Sequence, residues 1–129
     1  MGQIANLILK DGASTSVDVT FSPQMPQVGE TPAQWLNKDA LSPIGYRKVT
    51  VFVKAQVSGM SKVTIKIEDP KLSTVDAIPT VGYFTSFIGT FNLPATSRMQ
   101  DRKDILAFAK NLLGHAVLAS AVVDLEPVY

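Results

Sequence analysis

No cysteine occurs anywhere in the sequence, and histidine occurs once, at His115. The first absence removes disulfides, thiolate nucleophiles and cysteine-built zinc fingers. The second leaves no set of imidazoles for a metal and no ordinary serine–histidine relay. The eight glycines are scattered, and neither GxGxxG nor GxxxxGK is present, so no phosphate-cradling loop is predicted. Paired carboxylates are scarce too. Asp101 and Asp104 stand at the start of a predicted helix, where they favour its dipole. Glu68 and Asp69 are neighbours in a predicted strand and point to opposite faces. The expectation is therefore no catalysis, no cofactor and no metal. Charge of one sign is also missing: twelve Lys and Arg against eleven Asp and Glu leave a formal +1, so any nucleic-acid binding must come from local arrangement. No apolar run is long enough to span a bilayer, and no membrane partner is expected. The opening residues lack the basic lead and cleavage site of a signal peptide. Gly2 sits where a myristoylated glycine would, but Ala5 and Asn6 stand where that motif needs a hydroxyl.

What is present fits one domain, residues 1–129, with enough apolar content for a core. Its centre is 46–69, YRKVTVFVKAQVSGMSKVTIKIED. This reads as two strands, 47–57 and 62–69, joined by a turn at 58–61. Successive side chains of a strand alternate between faces. Val49, Val51 and Val53 then share one face with Val63, Ile65 and Ile67. Lys48, Thr50, Phe52 and Lys54 share the other with Lys62, Thr64, Lys66 and Glu68.

Around this hairpin, 6–10 and 17–21 form an N-terminal hairpin (6–21) about a turn at 11–16. The proline-rich stretch 22–32 is predicted to be an irregular connection or edge segment. Residues 33–36 are a short apolar island whose Trp35 serves as a core or interface anchor, and 41–45 form a turn. With Pro79, Gly82 and no sustained period, 71–82 is predicted to be a loop. The aromatic and β-branched stretch 83–93 is a strand completing the main sheet, 46–93. Two helices follow over 97–125. The first has Ser97 at or near its N-cap and Ile105, Leu106, Phe108, Ala109, Leu112 and Leu113 at helical spacing. Gly114 ends it, and the second, 115–125, is nearly apolar all round. The order is α+β. A helix that apolar needs cover on more than one side, which a two-layer domain of this length does not supply. A second copy of the chain does, so an obligate homodimer with a large apolar interface is expected.

The Lys/Thr face is either solvated surface or a site for something anionic. Periodicity alone favours the first, because strands commonly show Lys and Thr to water. Three features favour single-stranded RNA: four lysines with one acid on that face, Thr50 and Thr64 among them, and aromatics (Phe84, Phe87) in the neighbouring strand, on which unpaired bases could stack. There is no RNP-type aromatic motif of an RRM.

In order and spacing, the opening NLILKDG…DVTF, Gln34-Trp35, the run 46–54, KVTIKIEDPK at 62–71, the proline-containing loop before an aromatic strand, and the two helices closing on Tyr129 resemble the coat proteins of the small single-stranded RNA bacteriophages, the leviviruses. The resemblance covers nearly the whole chain. It implies an N-terminal β-hairpin, a five-stranded antiparallel sheet and two C-terminal helices, in an interlocked dimer whose helices lie across the partner's sheet. Phe108, Leu112 and Val122 would stand in that interface. It implies dimers assembling in the bacterial host cytoplasm into an icosahedral shell, usually T=3, with the polar face inward. There a genomic RNA hairpin is bound, repressing replicase translation and directing packaging. Lys48, Thr50, Lys54, Lys62, Thr64, Lys66 and Glu68 would face RNA, Thr50 and Thr64 in a pocket for an unpaired adenine with Lys66 beside it, and Phe87 near a base-stacking position. Phe52 departs from the small polar residue found there, and 71–82 resembles a loop lining the shell's symmetry axes. The alternative is a small dimeric RNA-binding regulator that forms no shell.

Overall fold

A computed structural model describes residues 4–40, 42–55, 59–75 and 77–128. The chain divides into two compact units, Met1–Asn92 and Leu93–Tyr129. The first is built on one six-stranded sheet in simple sequence order, β1 (Leu7–Lys10), β2 (Asp18–Met25), β3 (Ala33–Asn37), β4 (Arg47–Ala55), β5 (Met60–Val75) and β6 (Ile78–Pro94). The expected N-terminal hairpin is therefore the first two strands of the sheet itself, and the strand count is six rather than five. A short 3-10 turn, Pro43–Gly45, leads into β4.

The β1–β2 connection is held by Asp11, whose carboxylate accepts from the backbone N–H of Ala13 at 3.2 Å and of Val17 at 3.0 Å. Those two bonds, Val17's the larger, hold the Asp11 carboxyl below the usual carboxylate value. Pro23 has no N–H to give to the ladder, and the β2–β3 register shifts there, from Pro23↔Trp35 to Met25↔Gln34. Past the start of β3, where Ala33 pairs with Val51, Gln27 substitutes for a strand. Its side-chain amide donates to the Val53 carbonyl at 2.7 Å and accepts from the Val53 N–H at 2.9 Å.

Three expectations about the sheet are corrected. Residues 33–37 form β3, paired on both edges, with Ala33↔Val51 through Asn37↔Arg47 on the β4 side. Most of 71–82 is not loop: β5 extends to Val75 and β6 begins at Ile78. Pro79 is tolerated because β6 is the outer strand, and Pro70 lies past the last β4 partner of β5, Glu68. Ser73 and Thr80 hydroxyls meet at 3.4 Å across this hairpin, and Ala77 adopts φ 65° near its tip. The turn expected at 58–61 is also shorter, since Met60 and Ser61 belong to β5. Gln56 and Val57 of the expected strand 47–57 and Ser58 of the expected turn lie outside the described residues, as does Tyr129.

On the apolar face, Val49 opposes Ile67, Val51 opposes Ile65 and Val53 opposes Val63. Phe21, Val49 and Asn37 are each 4 % exposed. The buried Asn37 amide is satisfied, donating to the Thr20 carbonyl at 2.9 Å and to Asp39 at 3.0 Å. Trp35, opposite Val49, donates its indole N–H to the Ala5 carbonyl at 2.8 Å and pins the chain before β1.

The second unit holds α1 (Met99–Leu113) and α2 (Ala116–Val123). Arg98, not Ser97, is the N-cap of α1. Asp101 accepts from the Arg98 N–H at 2.9 Å, while Ser97 Oγ donates to the Pro94 carbonyl at 2.6 Å. His115 caps α2, its Nδ1 accepting from the Val117 N–H at 3.1 Å, so α2 is shorter than 115–125. Neither helix contains a buried residue among those described. Phe108, Leu112 and Val122 are 68 %, 58 % and 66 % exposed.

Candidate nucleic-acid interface

The β4–β5 register arranges the polar face in four rows: Lys48↔Glu68, Thr50↔Lys66, Phe52↔Thr64 and Lys54↔Lys62. All eight residues expected on this face from the central hairpin fall within those rows. Gln34 and Leu36, opposite Thr50 and Lys48, extend the face onto β3. They belong to an element too short and mixed to read as a strand, which is why sequence reasoning passed over them.

The charges are not mutually neutralised. Lys66 Nζ sits 2.7 Å from Glu68 Oε1 and takes up the one carboxylate in the rows. Among the described residues, no ion pair engages Lys48, Lys54 or Lys62. Lys54 and Lys62 stand directly opposite each other, a pairing that costs stability unless an anion lies between them. On the other face, by contrast, Arg47 and Lys71 share Asp69 at 3.1 and 3.3 Å. Within β4 and β5, the lysines without an ion pair lie on the Lys/Thr side.

At one end of the rows the surface deepens into an open cleft of about 690 Å³, whose lining includes Lys48, Lys66, Glu68, Leu36, Tyr46 and Phe84. Phe84 is exposed there. Phe87 is not part of that lining: its ring lies beside Gly89, 3.2 Å from where a Cβ on that residue would be. Positions 84 and 87 are three apart in β6, which puts them on opposite faces of a regular strand. Of the two β6 aromatics, the one that shares the cleft with Lys66 is thus Phe84. Strict parity along 83–93 was the signal for it, and Gly82 and Gly89 blurred that signal. Among the described residues no three His, Cys, Asp or Glu side chains gather as a metal site.

A sheet with a lysine-rich polar face, followed by two helices with uncovered apolar side chains, matches one family over nearly the full length. The model of the levivirus coat protein matches residues 2–129. The chain belongs to the levivirus coat protein family. Its members are structural proteins of a virion and not enzymes. Solved coat proteins agree. The virus-like particle of bacteriophage NT-214 shares 52 % identity with a TM-score of 0.94, covering 99 % of this chain and all of that one. That of bacteriophage ESE058 shares 26 % identity with a TM-score of 0.90, again covering 99 % and 100 %. The bacteriophage GA capsid protein, at 22 % identity and a TM-score of 0.72 over 97 % of each chain, shows the same fold. No match is found among curated protein sequences.

Proposed function

We propose that this coat protein assembles through an obligate, interlocked homodimer into an icosahedral shell in the bacterial host cytoplasm, residues 1–129 acting as one coat-protein domain that holds single-stranded genomic RNA against its Lys/Thr face. The observation that carries assembly is the pair of helices with no buried residue. Side chains such as Phe108, Leu112 and Val122 are covered by a second copy, and β6, seventeen residues long at the edge of the sheet, offers an open ladder for its counterpart. The solved virus-like particle of bacteriophage NT-214 supports the same outcome for this chain.

Lys48, Lys54, Lys62 and Lys66 supply phosphate contacts, Thr50 and Thr64 reach base edges, and Glu68 positions Lys66. Phe84, with Tyr46 in the same lining, is an aromatic that the cleft offers for stacking. Binding a hairpin in the genome through this face represses replicase translation and selects the RNA for packaging. Size exclusion with light scattering on the chain expressed alone tests assembly. Shell-sized particles containing RNA are expected; dimers that bind RNA but never grow would make the protein a small RNA-binding regulator instead.

A further inference from the structure

Past Glu68, the last residue of β5 with a partner on β4, the sheet continues as a two-stranded arm, residues 69–82. β4 no longer flanks it. The 3-10 turn Pro43–Gly45 packs against β5 there instead. The contact is close. Gly45 is buried, and a Cβ built on it would lie 2.7 Å from both Cγ and Cδ1 of Leu72 and 3.0 Å from the Ala40 Cβ. Leu72 therefore fills a hollow that exists because residue 45 has no side chain. Among the described glycines only Gly29 and Gly59 have positive φ, so it is space and not backbone conformation that demands glycine at 45.

The arm itself is stiffened from within. Ser73 Oγ lies 3.1 Å from where a Cβ on Gly82 would be, and the same hydroxyl meets that of Thr80 at 3.4 Å. At the base of the arm, Asp69 is shared by Arg47 of β4 and Lys71 of β5. Beside the seat runs an open groove of about 520 Å³, lined by Leu72, Thr74 and Pro79 of the arm and by Asn37, Asp39 and Arg47. A stiff hairpin anchored at one end, checked by one side chain and flanked by open space can act as a lever.

We infer that Leu72, seated between Gly45 and Ala40, is a latch that fixes the tilt of the 69–82 arm relative to the sheet. Relaxing a contact of 2.7 Å to the ordinary carbon–carbon distance of about 3.5–4.0 Å moves the seat by about 1 Å. Counted from Glu68 at about 3.3 Å per residue, Leu72 lies about 13 Å out and Ala77 about 30 Å, so the tip moves by about 2 Å. The arm carries the exposed Ile78 and Val81, and its tilt decides where these apolar side chains meet a neighbouring copy. That consequence, unlike the latch, rests on the proposal that the chain assembles.

Hydrogen exchange read by mass spectrometry on the full-length protein tests the latch, comparing amides of 71–82 with those of 49–55. Leu72→Ala shortens a half-buried side chain and is expected to fold. Exchange in 71–82 rises about tenfold, a local opening, while 49–55 stays that of the parent. Gly45→Ala does the same by pushing Leu72 off its seat. In the double variant the new methyl group occupies the space that Leu72 vacates, so 71–82 exchanges more slowly than in either single variant, the non-additivity of residues in contact. A parent-like Leu72→Ala, equal acceleration of 71–82 and 49–55, or effects that simply add would each overturn the latch. Electron microscopy of the particles then reads the tilt. Each single variant gives a shifted diameter, which the double variant brings back toward that of the parent. Parent diameters throughout would refute control of the tilt. An absence of particles from the parent itself would refute assembly, with the exchange data still deciding the latch.

Discussion

Leu112→Asp tests whether the helices are covered by a second copy. In the single chain Phe108, Leu112 and Val122 are 68 %, 58 % and 66 % exposed, so covering them removes about two-thirds of each from water. At about 1.5–3 kcal/mol for full burial of such a side chain, each gains about 1–2 kcal/mol, and the three from both subunits give about 6–12 kcal/mol per dimer. That is comparable with the entire stability of an ordinary domain, about 5–15 kcal/mol. A carboxylate at position 112 forfeits its share and adds several kcal/mol of unpaired buried charge, once in each subunit. The variant should therefore fail to fold rather than stop at a dissociated subunit. Circular dichroism and sedimentation velocity of soluble material read this directly. A folded, soluble Leu112→Asp monomer would refute the reasoning.

Three further outcomes are expected. Lys62→Ala and Lys66→Ala should weaken RNA binding and flatten its salt dependence, by about 0.7 in slope for each phosphate no longer neutralised; unchanged binding in a salt titration would leave the face as ordinary surface. Ala77→Gly should raise the thermal midpoint, since removing left-handed strain of about 1–2 kcal/mol outweighs the added chain entropy of about 0.5–1 kcal/mol; a lower midpoint would contradict it. Because the folded Asp11 carboxyl lies below its ordinary value, its contribution to the β1–β2 turn is complete above that value and is lost as pH falls through the folded one. Hydrogen exchange at the Val17 amide should therefore accelerate in acid relative to neighbouring strands, a dependence that Asp11→Asn removes.

The four rows of the polar face were legible because 48–54 and 62–68 alternate without interruption, and a strict period of two leaves one register that keeps valine and isoleucine together. The helices were legible from their spacing. β3 was hidden because five residues including Gln34 and Asn37 make too short and mixed a pattern, resolved by pairing on both edges. The β5–β6 hairpin was hidden by Pro70, Pro79 and Gly82, which read as breakers when position in the sheet is unknown. Of the two aromatics offered by 83–93, Phe84 lines the cleft and Phe87 does not, a distinction that the composition of the strand alone does not make. At the start of α1, Ser97 is the better capping type, yet its hydroxyl is spent on Pro94 and the cap falls one residue later.

The proposed assembly joins three surfaces: helices covered by a second subunit, β6 paired at the sheet edge, and the Lys/Thr face turned toward RNA. Electron cryomicroscopy of particles formed by the chain expressed alone tests all three together. Closed shells are expected, in which the helices of one subunit lie across the sheet of its partner, with Lys48, Lys54, Lys62 and Lys66 on the inner surface against RNA density. Shells with that face turned outward, or particles built without helix exchange, would contradict it.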